Sequence, residues 1–225
     1  MTVKYQINTT PSVTIGSHTL YQIECVTPFG SITTGDKGCY LETTDQLSLV
    51  GNCWADTTSY IMGESLITGT ASLIGSTVMD SVAISGNATV INSVIAGSAV
   101  VKGASTLSGC RVWGNASINM DTAVETIIGA AIYDHAVIEN APTINSAEIY
   151  EHAKVYGEAT VGDGTKWIPK IHENSEVYGT AVVKGKSETK GYSKVHGTAI
   201  LDGNFIAKGN DDISGEVSLS TPENV

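Results

Sequence analysis

The chain has little of what usually holds a domain of its length together. Only 6% of its 225 residues are aromatic, and it has 5 prolines and 4 cysteines. A core built on large rings is excluded, which leaves Val, Ile, Leu and Ala to fill thin, regular layers. The cysteines make neither a C-x-x-C pair nor a disulfide framework, and the spacing leaves open whether Cys25 and Cys39 meet. Positive charge is also scarce. Lys and Arg number 12 against 23 Asp and Glu, a formal net charge of -11. Such a chain has no general attraction for phosphates, so direct nucleic-acid binding is not expected. Charged residues amount to 16% and hydrophobic ones to 41%, which excludes a disordered acidic tail. No apolar run approaches the roughly 20 residues of a membrane helix, and the opening Met1-Thr2-Val3-Lys4-Tyr5 has no apolar signal region. The expectation is a cytoplasmic protein with no membrane contact.

What is abundant is self-similarity. From Leu49 onward a branched aliphatic residue returns about every six positions, with a small residue four places later. The clearest run pairs Val94 with Ser98, Val100 with Ala104, Thr106 with Cys110, Val112 with Ala116 and Ile118 with Thr122. The rule also holds for Ile61 with Ser65, Ile84 with Ala88, Ile132 with Ala136, Ile149 with Ala153 and Val177 with Ala181. A period of six fits neither a helical repeat nor a pentapeptide solenoid. It predicts a hexapeptide solenoid in which each hexad is a short strand plus a turn, and three hexads make a triangular rung. The aliphatic residue points inward and stacks on its counterparts about 4.8 Å away, each burial contributing roughly 1.5–3 kcal/mol. The small residue marks a corner. Gly or Asn just before it (Gly97, Gly103, Gly109, Asn115, Asn174) is expected to supply the left-handed backbone of the bend.

The register slips in places. Val90 runs into Val94 and Ile144 into Ile149 with residues missing, while extra residues fall between Val124 and Ile132. The stretch 165–170, with Trp167 and Pro169, inserts about four residues, and 203–212 reads as irregular. Insertions protrude, and protruding loops are where solenoids usually carry function. A solenoid also needs its open ends covered. The first 48 residues break the pattern and read as a cap, with a β-hairpin around Gly16 and Ser17. The expected organisation is a cap over 1–48, the β-helix over 49–219 and a tail over 220–225.

The hexads resemble those of the hexapeptide-repeat superfamily, which includes acyltransferases and gamma-class carbonic anhydrases. That resemblance implies an all-β, left-handed parallel β-helix of about nine rungs, in which homotrimers are habitual. Gly38-Cys39-Tyr40-Leu41-Glu42, the junction Gly51-Asn52-Cys53-Trp54 and the units Val155-Tyr-Gly-Glu-Ala159 and Val177-Tyr-Gly-Thr-Ala181 resemble a narrower group. It comprises the hexapeptide-repeat proteins common in phages, prophages and enterobacteria, whose cap ends in Gly-Gly-Trp rather than Gly-Cys-Tyr. Fold likeness of this kind implies little about chemistry.

Three candidate sites follow. Met62, Met79, Ile95, Trp113, Tyr133 and Tyr150, with His172 after them, occupy the place right after the inward residue and read as an outward stripe. A neighbouring face carries Ile74, Ile91 and Leu107, and the third Tyr156, Tyr178 and His196. Such an apolar stripe on a solvent face is costly unless covered, and Met and aromatics are enriched in interface cores. Stacking along the ladder could also account for it. His135 and His152 fall one rung apart at the same position, about 5 Å, with Asn174 next. A third imidazole is missing, so no metal site is expected. His172, beside the insertion, is the one candidate base for a coenzyme-A-dependent acyltransferase, the runner-up reading. Cys53 and Cys110 occupy corner positions as buried, inert residues. No catalytic residue and no cofactor are expected.

The sequence therefore reads as a non-enzymatic, homo-oligomeric structural or interaction module, trimeric by the resemblance. It would be phage- or prophage-encoded, reside in the host cytoplasm, and contact further copies or another phage or host protein. A third reading makes the acidic rod an inhibitor of a host defence protein, mimicking DNA.

Overall fold

A computed structural model describes residues 3–120 and 126–215 and the backbone of 218–220. Among these residues the strands form three sheets of twelve, ten and nine strands, parallel throughout the solenoid. Successive strands visit the ten-stranded, twelve-stranded and nine-stranded sheets in turn, so nine complete three-strand rungs stack before Ser218–Ser220 opens a tenth. The chain is a parallel β-helix of about ten turns. Most strands are two to four residues long because each side of the triangle holds one inward side chain and its two neighbours.

Three ladders fill the interior. One runs through Ile61, Val78, Ile95, Val112, Ile132 and Ile149, a second through Leu73, Val90, Leu107, Ile127 and Ile144, and a third through Ile67, Ile84, Val101, Ile118 and Ile138. None of them is more than 1% exposed. Small residues close the corners, among them Ser65, Ala88, Cys110, Ala116, Ala136 and Ala153. Backbone hydrogen bonds tie each rung to the next, as in Met62 N–H to Val78 O at 2.9 Å and Ala96 N–H to Val112 O at 2.9 Å.

The register differs from the sequence reading between 94 and 107. Val94 is 42% exposed, whereas Ile95, Val101 and Leu107 are fully buried, with Ile95 paired to Val78 and Val112. The expected frame was one residue early there, so Ile95 and Leu107 point into the core and not outward. Val90 to Ile95 is a step of five where the other two corners take six, so a regular rung spans seventeen residues. That short corner recurs through the early rungs, and the doublets Val94-Ile95 and Val100-Val101 satisfy either frame. Likewise Leu47, not Leu49, takes the first inward place, bridging to Ile67. The stretch 203–212 is regular, with Ala207 inward. Its rung and the one before, with Thr189 inward, escape the aliphatic pattern because those residues are small or polar. Ten residues separate inward Val161 from Ile171, which confirms the insertion, and Lys186 lies 3.5 Å over the Trp167 ring. The excess expected near Val124 falls mostly on 121–125, outside the described residues.

Gly97, Gly103 and Gly109 take the left-handed backbone as expected, with φ of +76, +79 and +64°, but Asn115 and Asn174 do not. The left-handed position lies two residues after the inward one, and at the corner following the twelve-stranded sheet it is held by Gly114, Asp134, Glu151 and Glu173 (φ +72, +60, +59 and +58°) instead of Asn115 and Asn174.

At the N-terminus β1 (Tyr5–Ile15) and β2 (His18–Cys25) pair antiparallel around the Gly16-Ser17 turn. β2 pairs antiparallel with β3 (Lys37–Leu41), which then runs parallel to the Tyr60–Ile61 strand. The pair thus extends the twelve-stranded sheet and covers its edge. Tyr5 closes the interior, its hydroxyl donating to the Thr44 carbonyl at 2.7 Å and to that of Leu47. Gly38 is required by close approach, since a Cβ there would meet Trp54 at 2.6 Å and Ile23 at 2.7 Å. Cys25, Cys39, Cys53 and Cys110 are all buried and free. Among the described residues no helix is long and apolar enough to cross a membrane.

Candidate functional site

The outward position beside the inward ladder of the twelve-stranded sheet carries Glu42, Met62, Met79, Ala96, Trp113, Tyr133, Tyr150, His172, Lys190 and Lys208 on successive rungs. Ala96 stands where Ile95 was expected. From position 62 to position 150 the column is uncharged, and both ends are charged. Met62 is 3% exposed and Trp113 38%; Met79, Tyr133 and Tyr150 are half-buried.

The rungs hold the rings face to face. Trp113 and Tyr133 stack at 4.3 Å between centroids, Tyr133 and Tyr150 at 4.8 Å, and Tyr150 and His172 at 4.8 Å, with interplanar angles of 2, 1 and 11°. Stacking satisfies the ring faces and leaves the edges and the outer face of Trp113 to solvent. Burial, with Tyr150 and Glu148 nearby, pushes the Tyr133 phenol up to about 12. Below the stack, one rung from Trp113, stands the small, half-buried side chain of Ala96.

His172 ends the stack. Its Nε2 lies 2.7 Å from Glu188 Oε1 and its Nδ1 3.8 Å from Glu151 Oε2, and only 11% of its side chain is exposed. Burial raises the Glu188 carboxyl, but hydrogen bonds from His172 and Lys190 outweigh it and hold the group below its ordinary range. Only the Nε2 contact is within hydrogen-bond reach.

The other candidates also fall on ladders. His135 and His152 stack at 5.0 Å and 3°, with Asn115 Nδ2 at 3.2 Å from His135 Nε2. Among the described residues no group of three or more His, Cys, Asp or Glu is placed to hold a metal. On the nine-stranded sheet Tyr156, Tyr178 and His196 stack at 4.8 and 4.7 Å, and Asp212 Oδ1 lies 2.7 Å from His196 Nε2. On the ten-stranded sheet Ile74 and Ile128 are 42% and 46% exposed, with Ser108 between them in the column where Leu107 was expected.

Sequence reasoning missed the corner acids. At the corner after the twelve-stranded sheet the left-handed residue's N–H lies outside the rung-to-rung ladder, and a carboxylate one rung earlier accepts it. Glu42 takes Gly63 N–H at 2.6 Å, Asp80 takes Gly97 at 2.8 Å, Glu151 takes Glu173 at 2.6 Å and Glu173 takes Gly191 at 2.8 Å. Asp80, Glu151 and Glu173 each stand two places after an inward residue, which was the available signal, whereas Glu42 stands one place after Leu41.

No family model matches the chain, and no curated protein matches it in sequence.

Proposed function

We propose that the chain is a rigid, non-enzymatic interaction module of the hexapeptide-repeat type, of phage or prophage origin, that self-associates through the twelve-stranded face. The observation that carries this reading is the break in charge along one column. Six consecutive outward positions are Met, Met, Ala, Trp, Tyr and Tyr, while Glu42 precedes them and His172, Lys190 and Lys208 follow. A solvated ladder has no reason to confine its charge to the two ends, whereas an interface core depleted of charge with a charged rim does. Ladder stacking accounts for the rings but not for Met79, Ala96 and the neighbouring Val94.

Light scattering on the eluting protein tests this. The wild type elutes above its 23.5 kDa monomer mass, and Trp113→Lys, which leaves the core untouched, reduces it to the monomer. An assembly indifferent to that change rules out the face as the interface. Coenzyme-A-dependent acyl transfer with His172 as base is the alternative. It has less support, because only 11% of the His172 side chain is exposed and its Nε2 is engaged by Glu188; acetyl-coenzyme A binding lost in His172→Ala would favour it. The acidic-inhibitor reading is weakened by corner carboxylates committed to backbone amides.

A further inference from the structure

The column that carries the proposed interface has an order as well as a composition. We propose that two copies pair face to face through the twelve-stranded sheets with their solenoid axes antiparallel, about a two-fold axis lying along the strands between the Ala96 and Trp113 rungs. This rests on the reading of that face as a self-association surface and specifies its partner and geometry.

A two-fold axis in the plane between two facing sheets can lie along the solenoid or along the strands. The first choice sets each rung against its own copy, so with the axis over this column Trp113 meets Trp113, Ala96 meets Ala96 and Lys190 meets Lys190. The second choice reverses the rung order and keeps each column facing itself. The uncharged segment spans six rungs, and its midpoint falls between Ala96 and Trp113. Reversal about that point seats the Trp113 ring, 38% exposed, over the partner copy's alanine. One rung out, Met79 meets Tyr133, a sulfur–aromatic pairing of the favourable kind, and at the next Tyr150 lies over the rung of Met62, whose side chain is buried. At the edges the ends of the uncharged segment meet, Glu42 over His172, which lies between Glu151 and Glu188 of its own chain. In the adjoining column Tyr60 falls opposite Glu148, a hydroxyl facing a carboxylate.

Both knob and hole lie on one patch, one rung apart, as an isologous contact requires. The paired region spans eight rungs, about 34 Å at 4.8 Å per rung, and about five residues or 17 Å across. That is about 550 Å² of flat sheet per copy and about 1,100 Å² in all, above the roughly 1,000 Å² that a specific interface needs.

The test is a swap of knob and hole read by light scattering, with circular dichroism confirming the fold of each variant. Ala96→Trp sets two tryptophans against each other and weakens the dimer about 30-fold or more. Adding Trp113→Ala to it restores the dimer, because alanine again faces tryptophan. In parallel, Met79→Cys combined with Tyr133→Cys is treated with a short bismaleimide. The native thiols are buried, and within one chain the two positions lie three rungs apart, about 14 Å, so a cross-linked dimer reports antiparallel pairing. Rescue by the swap together with this cross-link is the expected result. A trimer, or a cross-linked dimer from Met79→Cys alone, overturns the antiparallel pairing while a Trp113→Lys-sensitive assembly leaves the face as an interface. A monomer, or an assembly indifferent to Trp113→Lys, overturns both.

Discussion

Glu173 sits at a corner where two local energies of similar size oppose each other, and substitution separates them. Its φ of +58° is a conformation that costs an L-residue roughly 1–2 kcal/mol. Against this, its carboxylate accepts the Gly191 N–H at 2.8 Å, worth about 0.5–1.5 kcal/mol net. Glu173→Gly removes both the conformational cost and the bond, and its stability is expected within about 1 kcal/mol of wild type, allowing for glycine's greater unfolded-state entropy. Glu173→Ala keeps the cost and loses the bond, so it is expected about 0.5–1.5 kcal/mol below wild type. Glu173→Gln keeps a carbonyl acceptor and should fall between. Urea unfolding followed by both circular dichroism and tryptophan fluorescence measures the order, provided the two probes coincide. As a control, Lys194 lies in a strand, where the ranking should invert and glycine be the worse choice. If alanine at 173 proves as stable as glycine, the left-handed corner is not limiting and the argument fails.

Three further predictions concern register, pH and thiols. Ile95→Ala should cost about 2–5 kcal/mol and Val94→Ala under about 1 kcal/mol, because one side chain is buried and its neighbour is 42% exposed; equal losses in urea melts would return the frame to Val94. Asp56 and Glu188 are held below the ordinary carboxylate range: burial raises each, and hydrogen bonds from Ser59, Thr58 and Gly75, and from His172 and Lys190, outweigh it. The folded chain therefore binds fewer protons than the unfolded one near pH 4, so this stability is complete at neutral pH and falls as pH drops below about 4.5. Thermal melts from pH 6 to pH 3 should show a declining Tm, less steep in Asp56→Asn; a flat or rising Tm contradicts this. Burial pushes all four thiols up, Cys39 most strongly. A thiol reagent should therefore leave the native protein unlabelled over minutes and label all four after denaturation, and rapid native labelling would contradict the buried assignment.

The fold was legible wherever the interior wanted one large aliphatic residue and the corner one small one. Ile61 with Ser65, Val112 with Ala116 and Ile149 with Ala153 could be placed from spacing alone. It was illegible where the interior accepted Thr189 or Ala207, and ambiguous where two apolar residues adjoin, as at Val94 and Ile95. There the pattern admits both frames, and only pairing with Val78 and Val112 decides. The His135–His152 spacing and the buried corner cysteines followed from the repeat itself. The acid corners were visible as residues but not as a system, because their hydrogen bonds join positions 17 to 22 apart.

By itself, then, the sequence determined the repeat, the all-β solenoid, the position of the cap and the presence of an outward aromatic column. Each depends on local periodicity, which survives an error of one residue in register. Only the tertiary structure decided which side of the backbone each residue of an apolar doublet takes. Strand side chains alternate, so a one-residue slip exchanges core for surface. That single distinction put Ile95 inside and Ala96 outside, and with it set an alanine rather than an isoleucine beside Trp113.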